Sequence, residues 1–518
     1  MPQQLSISFP PKYLEDEIFI KRRVSEKLNI HSDRITHIQV LKRSIDARKR
    51  PKYILQLNAW VDEAFVPKED LPFPLQNVSE APAVHIIGMG PAGLFAALEL
   101  IKQGLKPVII ERGKAVRDRR RDLARITKEG VVNPESNYCF GEGGAGTFSD
   151  GKLYTRSTKR GDTREILNIL TQFGATSDIL IDAHPHIGTN KLPKIITRMR
   201  EAIEESGGEV HFDTSMTDMK VEAGSLTSIQ LNGEVWIPVS AVILATGHSA
   251  RDIFELLYQK RIEMKAKPFA LGVRVEHPQL LIDEIQYHCL GARHPNLPAA
   301  AYQLTRQVRG RGVYSFCMCP GGIICPSATS NDEVVVNGWS PSRRDSRFAN
   351  SGIVMEIGLR DMAKKGRHPL DALRFQRRVE RKAFGAGGGK QVAPAQRLTD
   401  FVQKKVSTTL PDCSYLPGIR SVEMGEVLPK FVQQGLIQAF QAFGKRMKGY
   451  MTEEAVVLGV ESRTSSPISI PRDPQTLSHP AVSGLIPCGE GAGYAGGIMS
   501  AAIDGRTCAR AAVRRLSE

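Results

Sequence analysis

The chain lacks what would place it in a membrane, outside the cell or among disulfide scaffolds. It has 518 residues, yet no apolar run approaches the roughly 18 needed to span a bilayer. Its start, Met1-Pro2-Gln3-Gln4-Leu5, lacks the basic and apolar stretches of a secretory signal. The 8 cysteines are scattered without dense spacing, which argues for a reducing cytoplasm. No internal repeat is visible. Aromatic residues make up 6%, and none is interleaved with the basic runs Lys42-Arg43, Arg48-Lys49-Arg50 and Arg117 through Arg121. That counts against single-stranded nucleic acid as a ligand. Acids are in deficit, with 55 Asp and Glu against 70 Lys and Arg, a net charge of +15. Such an excess suits anionic partners, although the runs themselves read first as solvated surface. The remainder, 41% hydrophobic and 24% charged, is ordinary for a globular protein of two or three domains.

Glycine, by contrast, is placed with purpose. The apolar run Val84-His85-Ile86-Ile87 meets Gly88-Met89-Gly90-Pro91-Ala92-Gly93, and an Ala/Leu-rich helical pattern follows. A second apolar run, Pro107-Val108-Ile109-Ile110, ends on Glu111-Arg112. Strand, Gly-x-Gly-x-x-Gly turn, helix, strand and acid about 20 residues on form the dinucleotide-binding βαβ unit. Gly88 suits the tight turn, Gly90 a close approach of backbone to pyrophosphate, and Gly93 helix–strand packing. The helix N-terminus offers N–H groups and a positive dipole end. Glu111 is expected to accept hydrogen bonds from a ribose diol, with Arg112 beside it.

Two later segments bear on which dinucleotide. Leu485-Ile486-Pro487-Cys488-Gly489-Glu490 is a short strand and an acidic turn, and Gly496-Gly497-Ile498 opens a helix. This layout resembles the C-terminal return of two-dinucleotide-binding-domain flavoproteins. The resemblance implies that the acid holds the ribityl chain and that the helix faces the flavin pyrimidine. The usual acid there is Asp; here it is Glu490, one methylene longer. Val242-Ile243-Leu244-Ala245-Thr246-Gly247 is a strand ending in a turn that commonly underlies the FAD pyrophosphate in the same proteins. Met216 stands where they often bring backbone to the adenine. The cofactor expected is FAD.

A third group narrows the resemblance. Asn137 through Leu153 is glycine-dense and contains Gly144, Thr147, Ser149 and Lys152. With His184-Pro185-His186-Ile187-Gly188-Thr189 and Phe316-Cys317-Met318-Cys319-Pro320-Gly321-Gly322, it resembles a bacterial family of uncharacterised FAD-dependent oxidoreductases, or dehydrogenases. The resemblance covers most of the chain, including Lys42 through Lys49. It implies FAD chemistry, with NADH or NADPH as a transient co-substrate, and implies no particular substrate. No Cys-x-x-Cys or Cys-x4-Cys flanks the FAD glycines, so a dithiol relay is not expected.

The fold class expected is α/β. A Rossmann-like FAD-binding domain spans 82–265 and 461–518. An inserted α+β substrate domain spans 266–460, with helical patterns at Val354–Lys364 and Pro369–Ala383. A small N-terminal α+β domain spans 1–75. Gly385 to Gly389 reads as a loop. Candidate catalytic groups are Ser149, Lys152 and His186. Candidate cofactor contacts are Gly88 to Gly93, Glu111, Arg112, Gly144, Thr147, Ser149, Met216, Ala245 to Gly247, Gly489, Glu490, Gly497 and Ile498. Cys139 and the pair Cys317 and Cys319 read first as packing and turn residues, with a place near the flavin as the alternative. Arg274 reads as ion-paired or as an anion contact. No metal is expected, because His184 and His186 have no third ligand grouped with them. The partner expected is a small polar or anionic molecule, with no membrane. An RNA-modifying flavoenzyme and a flavin-binding sensor without turnover stay open as other classes.

Overall fold

The computed structural model describes residues 2–67, 71–154, 161–362 and 368–517. The chain begins with β1 (Gln3–Phe9), α1 (Glu17–Leu28), β2 (Ile35–Asp46) and β3 (Lys52–Val61), forming an antiparallel sheet in the order β1-β3-β2. Strict alternation makes the sheet. Tyr53, Leu55, Leu57 and Ala59 of β3 point inward and are buried, while Lys52 and Gln56 point out. Asp16 starts α1 by accepting from the Phe19 N–H at 2.8 Å.

The dinucleotide unit follows. It comprises β4 (Ala83–Ile87), α2 (Pro91–Lys102), β5 (Lys106–Ile110), α3 (Val116–Glu129), α4 (Thr163–Gln172), α5 (Leu192–Glu205) and β6 (Glu209–His211). A three-stranded flap of β7 (Met216–Glu222), β8 (Ser225–Leu231) and β9 (Val235–Pro238) leads to β10 (Val242–Leu244) and α6 (Arg251–Gln259).

After β11 (Lys265–Ala266) the chain builds a second layer. Its elements are β12 (Phe269–Pro278), α7 (Gln279–Tyr287), β13 (Thr305–Val308), β14 (Arg311–Cys319), β15 (Ile323–Pro326), β16 (Val336–Trp339), β17 (Phe348–Ile357), α8 (Asp371–Gly387), β18 (Ala393–Arg397), α9 (Leu398–Gln403), β19 (Ile419–Ser421), α10 (Lys430–Arg446) and β20 (Val456–Glu461). The return consists of β21 (Ile468–Ser469), β22 (Leu485–Pro487) and α11 (Ile498–Ser517).

Two sheets organise the molecule. The first is β22-β10-β4-β5-β6, five strands running parallel. Their carboxyl ends share one edge, where open α/β sheets bind ligands. Helices α2 and α11 pack closely on it; a Cβ on Gly505 would lie 2.0 Å from the Ala92 carbonyl oxygen. The second is the mixed sheet β13-β14-β17-β12-β20-β18-β19. Its apolar core is continuous with that of the N-terminal sheet, from Phe9 and Leu57 to Val273 and Ile353. Tyr53 donates to the Asn296 carbonyl at 2.5 Å across the same junction.

Three expectations change here. The helical pattern over Val354–Lys364 is instead the end of β17, with a 3-10 turn at Leu359–Asp361; residues 363 and 364 lie outside the described residues. β17 sits between β14 and β12 and is buried on both faces, so its apolar run carries no alternation to distinguish strand from helix. Gly385 to Gly387 belong to α8 rather than to a loop, with Gly388 taking the left-handed position that ends it. Arg119, within the basic run read as solvated surface, is fully buried. No helix among the described residues is long and apolar enough to cross a membrane.

Candidate functional site

At the carboxyl edge of the parallel sheet, β4 ends in the glycine turn. A Cβ on Gly93 would lie 2.0 Å from the Gly88 carbonyl oxygen, so only glycine lets α2 start this close to β4. Gly90 has non-helical backbone angles and caps α2, with Pro91 in its first turn. Proline has no N–H to leave unsatisfied there, and Ala92 presents its own to the space in front.

Glu111 holds this turn from behind. One carboxylate oxygen accepts from the Met89 N–H at 2.8 Å, and the other from the Gly113 and Gly141 N–H groups at 2.9 Å each. The side chain expected to meet a ribose is thus first a brace joining three loops. With three bonds made, lone-pair capacity remains for a ribose hydroxyl.

Arg119 holds the neighbouring glycine-dense loop. Its five N–H bonds are all used: Nε donates to the Asn137 carbonyl, Nη1 to the Glu142 carbonyl and Thr147 Oγ1, and Nη2 to the Tyr138 and Gly144 carbonyls. The distances run from 2.8 to 3.2 Å. Burial pulls this guanidinium down to about 10, so it is still charged at neutral pH. Thr147 therefore clips the loop. Its hydroxyl donates to the Glu142 carbonyl at 2.6 Å and does not line the cavity.

In front of both loops lies a cavity of about 370 Å³, open to solvent. That lies within the roughly 300–1,000 Å³ of ordinary small-molecule sites, and its lining is long. It runs from Gly88–Ala92 and Glu111 past Gly144–Gly146, Met216 and Ala245–Gly247 to Glu490 and Gly497–Ile498. Its far wall is Phe316 and Cys317 of the mixed sheet with Cys325, Ser327, Asn337 and Gly338 on and beside the two-stranded β15–β16 hairpin, and Arg463 and Thr464 where the chain leaves the mixed sheet. Among the described residues, a Cβ added to Gly90, Gly247 or Gly497 would meet nothing within 4 Å, so these backbones face the cavity. The starts of α2 and α11 both reach it.

Glu490 at its edge is pushed up to about 7 by burial, with Lys267 pulling the other way. Near neutrality such a carboxyl both donates to and accepts from hydroxyl groups. An extended molecule with two phosphates, a polyhydroxyl chain and a flat ring matches this donor set, and FAD fits it.

Other residues singled out from the sequence sit apart. Gly93 and Gly489 do not line the cavity; the Gly489 N–H donates to Asp504 at 2.8 Å. Arg112 lines it, but its guanidinium binds Glu135 and Asp252. Ser149 lines it and donates to the Gly146 carbonyl at 2.7 Å while accepting from the Gly151 N–H at 3.1 Å. His186 bonds the Ser342 carbonyl through Nε2 at 3.2 Å, outside the lining. His184 packs edge-on against Tyr154. Burial lowers both imidazoles.

Lys152 does reach the cavity, between Asp150 Oδ2 at 3.2 Å and Cys319 Sγ at 3.7 Å. Burial lowers Lys152, but Cys319 and Asp150 more than offset this and leave it raised. Arg274 is fully buried against Glu461 and Asn350 Oδ1 and cannot be a free anion contact.

Sequence reasoning missed Arg463, Ser249 and His248. Arg463 is buried against Glu333 and Glu380 and donates to Ser249 Oγ at 3.2 Å. Ser249 in turn lies 2.8 Å from His248 Nδ1. Burial, helped by Arg463 and Arg251, pulls His248 down to about 3, so it is neutral. The available signal was position. Both segments follow strand ends, one directly after Ala245-Thr246-Gly247.

Comparison with known proteins agrees with this geometry. Residues 268–464 match a family described as "FAD-dependent protein, C-terminal domain-like", and residues 1–61 match a domain of unknown function. An uncharacterized protein of Clostridium beijerinckii is 40% identical over 515 residues, covering 95% of each chain.

Likeness to solved structures is slight. A geranylgeranyl bacteriochlorophyll reductase-like protein of Thermoplasma acidophilum gives a TM-score of 0.36 at 12% identity, over 84% of this chain and 79% of that one. The quinol fumarate reductase of E. coli gives 0.35 at 12%, over 84% and 70%. The tetracycline destructase Tet(51) gives 0.28 at 10%, over 57% of this chain, which spans only 62% of that protein. Such scores carry no weight for function. The full-length relative, the match over 268–464 and a cavity built for a dinucleotide make this chain a member of a family of FAD-dependent oxidoreductases, with FAD as its cofactor.

Proposed function

We propose that the protein transfers an electron pair between a nicotinamide donor and a small polar or anionic substrate held against the far wall of the cavity. The observation that carries this is the cavity's extent. It runs beyond the dinucleotide-binding edge to a set of polar side chains from several elements: Cys317 of β14, Asn337 of β16, Lys152 of the glycine-dense loop and Arg463 after β20.

FAD, when bound, supplies the two-electron chemistry, and the protein supplies binding, orientation and electrostatics. Gly90 and the start of α2 would hold its pyrophosphate, Glu111 the adenosine ribose and Glu490 the ribityl chain. The start of α11 at Ile498 would lie beside the ring. A helix N-terminus there favours negative charge.

Lys152 is the cationic group on the substrate side, held in place by Asp150. Arg344, also on Asp150 at 2.9 Å, keeps that carboxylate from neutralising Lys152 alone. The Arg463 guanidinium is committed to Glu333 and Glu380 and shapes the wall.

No second strand–glycine–helix–strand fingerprint follows the first, so the nicotinamide is expected to visit the open part of the same cavity. Anaerobic mixing with NADH or NADPH tests this. Bleaching of the flavin whose rate saturates at high nicotinamide, and competition by small carboxylates for the same space, are expected. Saturable binding of nicotinamide that small carboxylates do not displace would contradict a shared cavity.

A further inference from the structure

We propose that Cys317 is the proton donor of this cavity, with Lys152 poised to stabilise the thiolate it leaves. The inference rests on the functional reading above and adds a residue to it.

Three features place the thiol. Cys317 sits in β14 at a register break, where pairing with β17 jumps from Phe316 to Cys319. A break of this kind re-aims a side chain, and here the thiol faces the cavity. Its backbone has φ of 42°, a left-handed value that cysteine rarely adopts.

The conformation is clamped from behind. Arg274 Nη2 donates to the Cys317 carbonyl at 2.7 Å, and Arg274 is in turn fixed by Glu461 and by Asn350 Oδ1 at 2.7 Å. A fully buried guanidinium thus holds a strained residue in the cavity wall, where backbone strain tends to mark function.

A separate observation points to a ligand in the same corner. Asp150 is nine-tenths buried and lines the cavity. Its Oδ2 holds Lys152 and Arg344, while its Oδ1 has no hydrogen-bond partner among the described residues. A buried carboxylate oxygen without a partner costs free energy unless a bound molecule satisfies it. A substrate hydroxyl, amide or water would do so.

The thiol's state decides its role. Cys317 is exposed to the open cavity, and the protein on its other sides still partly desolvates it. Burial pushes it up to about 11, against the pull of Lys152 and Arg274 and with Cys319 and Glu461 raising it further. At neutral pH it is S–H, an acid rather than a nucleophile.

A thiol facing the cavity beside a cation can protonate a strongly basic centre, such as the carbon of an enolate. When an electron pair reaches a double bond conjugated to a carbonyl, one carbon gains hydride. The neighbouring carbon then takes the proton from Cys317 Sγ. The S–H bond breaks, a C–H bond forms, and Lys152 offsets the thiolate until solvent returns the proton. Electrons come from the nicotinamide donor, so the balance closes.

The test uses the FAD-loaded full chain and two probes. Iodoacetamide labelling of Cys317, read by peptide mass from pH 7 to 11, should rise with a midpoint above 9. Lys152→Met should lower the rate at pH 9 at least tenfold. Labelling that is complete at pH 7, or unmoved by Lys152→Met, would overturn the assignment.

The second probe is 2-cyclohexen-1-one, given anaerobically to enzyme reduced with NADH or, equally, with dithionite. Wild type should reoxidise, and Cys317→Ser should bleach normally but reoxidise at least a hundredfold more slowly. Equal rates, or no reoxidation of wild type by the enone, would sink the proton donor. Failure to bleach with nicotinamide while dithionite succeeds would instead count against the donor named under the functional reading.

Discussion

The two walls of the cavity are built on different principles. The wall at the parallel sheet is backbone: Gly88, Gly90, Gly144 and Gly247 present peptide groups, and buried charges behind them hold the loops still. The opposite wall is side chain: Cys317 projects from β14, Asn337 from β16, Lys152 from the end of the glycine-dense loop and Arg463 from the chain that leaves the mixed sheet. A wall that recognises a constant molecule uses peptide N–H groups and helix ends, which are the same in every sequence. A wall that distinguishes one substrate from another needs side chains. The difference also separates stability from chemistry. Changes behind the backbone wall should damage folding and FAD binding together, whereas changes at the cavity-facing Cys317 should leave both intact.

The largest expected effect comes from Arg119. Arg119→Met removes donors from four buried carbonyls and the Thr147 hydroxyl. Thr147 still serves the Glu142 and Gly144 carbonyls, which leaves those of Asn137 and Tyr138 at about 1–3 kcal/mol each, so a loss of about 2–6 kcal/mol is expected. Urea denaturation should show a lower midpoint, and purified protein should lose most of its flavin. A variant that keeps both would show that the loop does not depend on its buried cation.

Glu111 comes next. Glu111→Ala strips three backbone N–H groups of a charged acceptor, a bond type worth roughly 1.5–3 kcal/mol each. FAD affinity should fall by more than about a hundredfold, beyond the loss of one ribose contact, when apo-protein is titrated with FAD. Glu111→Gln should fail nearly as badly, because its amide N–H₂ faces donors at Gly113 and Gly141. A small loss for the Gln variant would mean that ribose binding, not bracing, is its main service.

Glu490 gives a milder effect and a sign. Its folded value, about 7, is raised by burial above the ordinary carboxyl. Its favourable share of stability is therefore complete below about pH 4.5, the unfolded value, and is lost as pH rises through 7. Ligand-free wild type should lose Tm between pH 5 and 8 relative to Glu490→Gln, which cannot ionise. Parallel curves for the two proteins would show that Glu490 is ordinarily solvated.

Legibility followed the same division. The backbone wall was readable because glycine spacing, strand ends and the acid about 20 residues on are local patterns with a geometric cause. Its supports were not. Arg119 sits in a run of arginines whose neighbours are solvent-facing, and only the folded loop supplies its carbonyls. The mixed sheet was legible in outline at β12 and α8 and misread at β17, where burial on both faces erased the alternation. The site residues on this side come from β14 and from the separate β15–β16 hairpin, brought to the cavity by long-range packing that no local spacing records. Cys317 is the clearest case. A Cys-x-Cys before Pro-Gly-Gly reads as a turn, and what re-aims it is a register break against β17 together with an arginine more than forty residues earlier.

The smallest expected effect is at Ser149, and it sharpens the comparison most. Ser149 belongs by sequence to the glycine-dense loop and by position to the cavity lining. Its hydroxyl is already spent within the loop, donating to the Gly146 carbonyl and accepting from the Gly151 N–H. Each such neutral bond is worth about 1 kcal/mol. If Ser149 is part of the backbone wall's scaffold, Ser149→Ala should lower stability by about 1–2 kcal/mol, shift FAD affinity by no more than about tenfold, and leave the rate of flavin reoxidation by the enone within about threefold. If it belongs to the reacting wall, stability and FAD affinity should stay put while reoxidation falls a hundredfold. The loop's geometry favours the first outcome, because a hydroxyl whose donor is committed at 2.7 Å has no proton to spare for a substrate.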